Sequence, residues 1–110
     1  MKQFEIWWAE LPPAAGARPI MLLTRDSGYA YLNKFLAVEI TTTERGIPVE
    51  LELGSAEGLK RSSVANFDNV FPISKHRLIR RMGTLDPRRW KEAKKALGFA
   101  LEWDELTDTE

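Results

Sequence analysis

The side chains that this sequence offers for chemistry are arginine, threonine and amide groups, not histidine, cysteine or carboxylate clusters. Arg18 precedes Pro19 and opens the apolar run Ile20-Met21-Leu22-Leu23 directly after a Pro/Gly stretch. An arginine fixed at a loop–strand junction by the following proline can present its planar fork to a phosphate. Thr41-Thr42-Thr43 closes another apolar run and leads into Glu44-Arg45-Gly46. Three hydroxyls followed by Arg and Gly form a polar group at the rim of a sheet, although threonine is also an ordinary strand former. A third group, Asn66-Phe67-Asp68-Asn69, carries amide and carboxylate side chains suited to base edges, with alternation directing Phe67 to the core.

Several chemistries are absent from the pattern. The only histidine is His76, in the cationic turn Lys75-His76-Arg77, where an imidazole is an exposed group without an orienting partner. An acid–base pair of two histidines within one chain is therefore ruled out. Glu50 and Glu52 stand at strand spacing on one face and read as solvated carboxylates. There is no HxxxH, no GxGxxG, no GxxxxGK[ST] and no G-x-S-x-G, so neither a metal site nor a cofactor is expected. The chain has no cysteine, which excludes disulfides, thiolate zinc, iron–sulfur clusters and a cysteine nucleophile.

The elements that must position these groups follow from length and patterning. A chain of 110 residues has room for one domain, here residues 1–103 followed by a short acidic tail at 104–110. With 44% hydrophobic and 29% charged residues, four Trp and five Phe, it can bury enough surface to offset its ordering entropy, which excludes disorder. Met1-Lys2-Gln3-Phe4-Glu5 has no signal-peptide apolar stretch, and the apolar runs fall far short of the roughly 20 residues that span a bilayer. A cytoplasmic, membrane-free protein is expected. Sixteen Lys and Arg balance sixteen Asp and Glu, but five acids fall in the last nine residues. The body is therefore basic, with nine cations between Lys75 and Lys95 against Asp86 and Glu92. That suits a polyanionic partner, and equally a solvated helix face.

Short β-branched and aromatic runs separated by turn residues predict a mainly antiparallel β domain. Strands are expected at Phe4–Glu10, Pro19–Asp26, Phe35–Thr43, Pro48–Leu53, Ser63–Phe67, Val70–Ser74 and Leu78–Gly83, with loops at Leu11–Ala17 and Gly54–Ser62 and one helical turn within Ser27–Asn33. Seven short strands suit a barrel or sandwich. Asp86 is a good N-cap and Pro87 fits the first helical position. Trp90, Ala93, Leu97, Ala100 and Leu101 then recur at helical spacing, predicting a helix that packs on the sheet through Trp90 and Leu97 with its basic side wet. In Trp7-Trp8, adjacent strand residues face opposite sides, so only one ring enters a given core.

Taken together, these segments resemble the MazF/PemK family of toxins. The matching pieces run in family order: Ile6-Trp7-Trp8-Ala9-Glu10-Leu11-Pro12, Arg18-Pro19-Ile20-Met21, Ile40-Thr41-Thr42-Thr43-Glu44-Arg45-Gly46-Ile47-Pro48, Gly58-Leu59-Lys60-Arg61-Ser62-Ser63-Val64-Ala65-Asn66-Phe67-Asp68-Asn69, and Lys75-His76-Arg77-Leu78 with Gly83-Thr84-Leu85. The resemblance covers residues 4 to 101 and implies a small SH3-like β-barrel with a C-terminal helix, the fold shared by MazF, PemK and CcdB toxins. It further implies metal-independent, sequence-selective cleavage of single-stranded RNA by 2′-hydroxyl attack. Arg18 matches the family's catalytic arginine and Thr41 its catalytic threonine, with Pro19, Thr42, Thr43, Arg45, Asn66, Asp68 and Asn69 as RNA contacts. A homodimer and a small antitoxin, whose acidic and hydrophobic C-terminal segment occupies the RNA groove, are the implied partners. Phe71-Pro72 replaces the basic residue and threonine common in the family, and Ser62 replaces its usual acid; neither change touches Arg18 or Thr41. Two other readings fit the same fold: an SH3-like module that grips RNA or protein without cutting, and a poison of DNA gyrase.

Overall fold

Period-2 alternation in the strands sends apolar side chains to both faces of one sheet, and this organises the whole fold. A computed structural model of the chain describes residues 1–11 and 16–107. Six antiparallel strands, β1 (Glu5–Leu11), β2 (Gly16–Leu22), β3 (Lys34–Thr41), β4 (Glu50–Leu53), β5 (Ser63–Ser74) and β6 (Leu78–Thr84), form one sheet in the order β4-β5-β3-β2-β1-β6. Helices α1 (Trp90–Leu101) and α2 (Asp104–Thr107) follow. On one face Ile6, Met21, Val38, Ile40, Leu51, Leu53, Ala65 and Phe67 build the main core with Leu59, Leu85, Ala93 and Ala96. On the other, Ala9, Ile20, Leu22, Phe35, Ala37 and Ile73 form a second cluster under Tyr29, from the 3-10 turn Asp26–Ala30.

The sheet curls because its two edges are tied together. The turn Ser55–Glu57, just after edge strand β4, presses on the opposite edge strand β6. A Cβ added at Gly83 would stand 2.1 Å from the Glu57 carbonyl oxygen, and one at Gly58 would stand 2.1 Å from that of Met82. Only glycine allows two backbones so close, and Gly58 also adopts a left-handed φ of +91°. The result is a half-barrel capped by α1, in agreement with the expected fold class. Arg89 fastens the cap: it donates to the Glu52 carbonyl at 2.8 Å, pairs with Glu92 at 2.9 Å and faces the buried carboxylate of Glu57 at 3.5 Å.

Several local expectations change. The two strands expected at Ser63–Phe67 and Val70–Ser74 are one strand with a bulge, because β3 pairs Val38 with Val70 and then Glu39 with Asn66, leaving residues 67–69 outside the ladder. Asn66 stabilises the bulge by accepting the Asp68 N–H on Oδ1 at 2.9 Å. β2 begins at Gly16 and ends at Leu22, and β4 begins at Glu50. Of the expected loop Leu11–Ala17, residues 12–15 lie outside the described residues.

Asp86 caps as expected, accepting the Arg88 N–H at 2.8 Å, but the first turn, Pro87–Arg89, is 3-10 and the α-helix starts at Trp90. The Arg88 side chain and amide hold the Asp86 carboxyl down at about 2. The helix packs through Ala93 and Ala96, with Leu97 and Ala100 half-buried, while Trp90 is 38% and Leu101 45% exposed. Small residues let the backbone approach the sheet, and Trp90 moves to the rim, its ring centroid 5.5 Å from that of Phe4 and its Nε1 donating to the Leu85 carbonyl. The first four tail residues form α2, which packs against α1 over Gly98. No helix among the described residues is long and apolar enough to cross a membrane.

Candidate functional site

The register between β2 and β3 pairs Ile20 with Glu39, Met21 with Val38 and Leu22 with Ala37. The ladder ends at Ile20 and Glu39; beyond it Arg18 shares the face of Ile20 on β2 and Thr41 that of Glu39 on β3, because residues two apart on a strand point the same way. Arg18, Glu39 and Thr41 therefore form a polar group on one face of the sheet, next to Ile20 of the second apolar cluster. The Arg18 guanidinium lies 3.7 Å from Glu39, with both side chains partly in water. So long and solvated a pair adds little stability. Proline at position 19 costs nothing in hydrogen bonding against β3, whose ladder with β2 starts only at Ile20.

Thr41 ends β3, and its Oγ1 accepts the Thr43 N–H at 3.2 Å. A hydroxyl that accepts in this way retains its own hydrogen to donate. The segment after Thr41 is shaped by Glu50, whose carboxylate accepts the N–H groups of Arg45 at 3.1 Å and Gly46 at 2.8 Å. Gly46, at φ +67°, supplies the left-handed turn that aims these amides inward. Glu50 is thus the fastening of the Thr-Arg loop rather than a solvated carboxylate. Thr43 and Arg45 are exposed on that loop.

Alternation separates the remaining expected residues. Pro19 and Thr42 point to the other side of the rim, where they line a cavity of about 510 Å3 with Trp8, Lys60, Arg61 and Arg80. Asn66 pairs with Glu39 and Glu50 in the ladders but is buried, its side chain engaged in the bulge. Asp68 and Asn69 are exposed on that bulge, and Asp68 lines a different hollow beside Leu97 and Trp103 of the helical end. His76 is exposed in the 3-10 turn Lys75–Arg77. Among the described residues no three His, Asp or Glu side chains gather as a metal-binding group.

Four contributors are not singled out by the sequence. Glu39 was legible only as a residue two before Thr41, and nothing local shows that β2 lies beside it. Lys60, Arg61 and Arg80 come from separate segments that meet only when the sheet curls. The two tryptophans do divide as alternation requires. Trp7 packs on the second cluster and donates from Nε1 to Glu5 at 3.0 Å, while Trp8 lines the cavity on the opposite side.

Residues 2–101 match the family model described as PemK-like, MazF-like toxin of type II toxin-antitoxin system. A probable endoribonuclease MazF2 of Mycobacterium tuberculosis is 37% identical over 94 residues, covering 84% of this chain and 90% of that protein. Among solved structures, the Mycobacterium tuberculosis toxin MazF-mt6 superposes with a TM-score of 0.84 at 32% identity, covering 89% of this chain and 96% of that one. An endoribonuclease from a mycobacterial species, solved in complex with its cognate antitoxin, reaches a TM-score of 0.83 at 25% identity, covering 94% of this chain and 96% of that one.

Proposed function

We propose that this chain, which belongs to the PemK-like, MazF-like toxins of type II toxin–antitoxin systems, is an endoribonuclease that cuts single-stranded RNA at Arg18 and Thr41. What supports the reading is their placement on the same face of the sheet, with Glu39 of β3 3.7 Å from the Arg18 guanidinium. The scissile phosphate binds the Arg18 fork, which neutralises the charge that grows on the phosphoryl oxygens as the neighbouring 2′-hydroxyl attacks. Thr41 donates a hydrogen bond to the phosphate or holds the 2′-hydroxyl in line. The O2′–P bond forms as the 2′-hydroxyl gives up its proton, the P–O5′ bond breaks as O5′ takes one up, and the products are a 2′,3′-cyclic phosphate and a 5′-hydroxyl. None of these steps calls on a metal. The protein acts in the cytoplasm, where its RNA is, as a homodimer restrained by a cognate antitoxin. The expectation of an antitoxin is supported by the related endoribonuclease solved with its own.

The test is a matched pair of substrates. Purified protein cleaves an unstructured RNA at discrete sites and leaves DNA of the same sequence intact, because DNA lacks the attacking hydroxyl. Equal cutting of both, or of neither, contradicts the reading.

Arg45 stands exposed beside the threonines on a loop fixed by Glu50, a placement suited to a second phosphate. Arg45→Gln is expected to weaken RNA binding and to reduce the slope of log affinity against log salt by about one contact, or roughly 0.7 for a single strand. Titrations across a salt series measure it, and an unchanged slope removes Arg45 from the phosphate contacts.

A further inference from the structure

The cavity beside Trp8 has the chemistry of a nucleotide site, yet it opens on the other side of the rim from Arg18 and Thr41. Its floor is apolar and aromatic, formed by Trp8 and Pro19, which pair across β1 and β2. Its margin carries Lys60, Arg61 and Arg80, all exposed. Four arginines of the fold are matched with carboxylates, Arg18 with Glu39, Arg81 with Glu5, Arg88 with Asp86 and Arg89 with Glu92, and none of these four borders the cavity. Lys60, Arg61 and Arg80 have no acidic partner among the described residues, so the margin presents uncompensated positive charge. An aromatic floor under a basic margin is how proteins hold unpaired nucleotides, the ring stacking on the base while the cations take the backbone. The volume, about 510 Å3, lies within the range of small-molecule pockets.

The position in the chain links this cavity to the cutting site. Pro19 follows Arg18, and Thr42 follows Thr41. Successive strand residues face opposite sides, so a strand of RNA whose phosphate rests on Arg18 and Thr41 reaches the cavity by passing over the strand ends. We propose that the Trp8 cavity is a nucleobase pocket that receives a nucleotide close to the scissile phosphate and thereby contributes to the choice of cutting site. The proposal rests on the endoribonuclease reading and deepens it. It also gives the second tryptophan of Trp7-Trp8 a function that core packing does not supply.

A photochemical test reports on the pocket without needing cleavage. A random-sequence pool of 2′-O-methyl RNA, in which the attacking hydroxyl is blocked and uridine is replaced by 5-iodouridine, is irradiated with the full-length protein, and the joined peptides are sequenced by mass spectrometry. The expected product joins RNA to Trp8. With the same pool, Trp8→Ala is expected to raise Kd about tenfold, in line with loss of one stacked base, and Trp8→Phe to recover most of that loss. Replacing Lys60 and Arg80 by Gln together is expected to lower the salt slope by about two contacts. Joining at Trp7, Trp90 or Trp103 instead of Trp8, with Kd unmoved by Trp8→Ala, overturns the pocket. Cleavage of ordinary RNA, measured in parallel, separates the two claims: a protein that cuts without joining at Trp8 loses the pocket and keeps the nuclease. One that joins at Trp8 and never cuts keeps the pocket and loses the nuclease. An acidic peptide that binds the cavity while RNA does not also overturns the proposal.

Discussion

Arg18→Ala is expected to lower RNA cleavage by about a thousandfold while leaving the fold intact. The size follows from the role: a charged donor fork already in place where phosphoryl charge develops is worth on the order of 10²–10³ in rate for even a single lost donor, and arginine offers two together. The fold is spared because the side chain is 47% exposed, its ion pair to Glu39 is long, and its β1 partner, Ala9, is held through backbone bonds. Arg18→Lys is expected to recover little, since an ammonium keeps the charge and loses the planar fork. Thr41→Ala removes one neutral hydrogen bond, so a smaller loss, about tenfold, is expected. Single-turnover cleavage with a melting curve for each variant measures both effects. A fully active Arg18→Ala protein would remove the assigned site. Equal unfolding of Arg18→Ala would make its loss structural instead.

The second large effect concerns stability. Gly83→Ala places a Cβ 2.1 Å from the Glu57 carbonyl oxygen, and because both sides of that contact are backbone, no side chain can turn away to relieve it. Moving the Ser55–Glu57 turn away from β6 would cost the closure of the half-barrel. A destabilisation of roughly 3 kcal/mol is expected, which for a domain of this size lowers Tm by more than about 10 °C. Gly54→Ala is the control: its φ of −162° is ordinary extended backbone and nothing lies within 4 Å of its added Cβ, so its Tm is expected to stay nearly constant. Thermal unfolding of the three proteins decides the matter, and Tm values alike for Gly83→Ala and the parent would refute the closure. The expectation has a functional side too. Gly58 and Met82 line the Trp8 cavity, so loosening this contact opens the pocket and weakens RNA binding along with the fold.

What was readable in advance divides along a physical line. Patterns that act within a few residues were legible: the alternation that places Ile20, Leu22, Val38 and Ile40, the Asp86–Pro87 start of the helical region, and the loop character of Gly54–Ser62. Patterns that depend on what a segment meets were not. Asp68-Asn69 reads as a gap between two strands, yet Asn66 supplies the hydrogen bond that carries one strand through the bulge. Trp90 lies on the apolar stripe, but Ala93 and Ala96 set a separation at which the larger ring fits better at the edge. The same division holds at the site. Arg18 and Thr41 were identifiable as residues and by resemblance, whereas Glu39 enters only through the pairing of β2 with β3. Lys60, Arg61 and Arg80 become a group only through the closure at Gly58 and Gly83. Asn66 has a side chain suited to base edges, but burial turns its amide inward to the backbone.

The most direct measurement is the chemistry of the cut ends. Purified protein is incubated with a long unstructured RNA in excess EDTA, and the new termini are mapped and identified. Attack by the 2′-hydroxyl on a phosphate held by Arg18 and Thr41 predicts discrete cuts at a short recurring motif, with 5′-hydroxyl and 2′,3′-cyclic phosphate ends and no loss of rate in chelator. Intact RNA under these conditions, or cutting that appears only when a divalent metal is restored and leaves 5′-phosphate ends, would contradict the account.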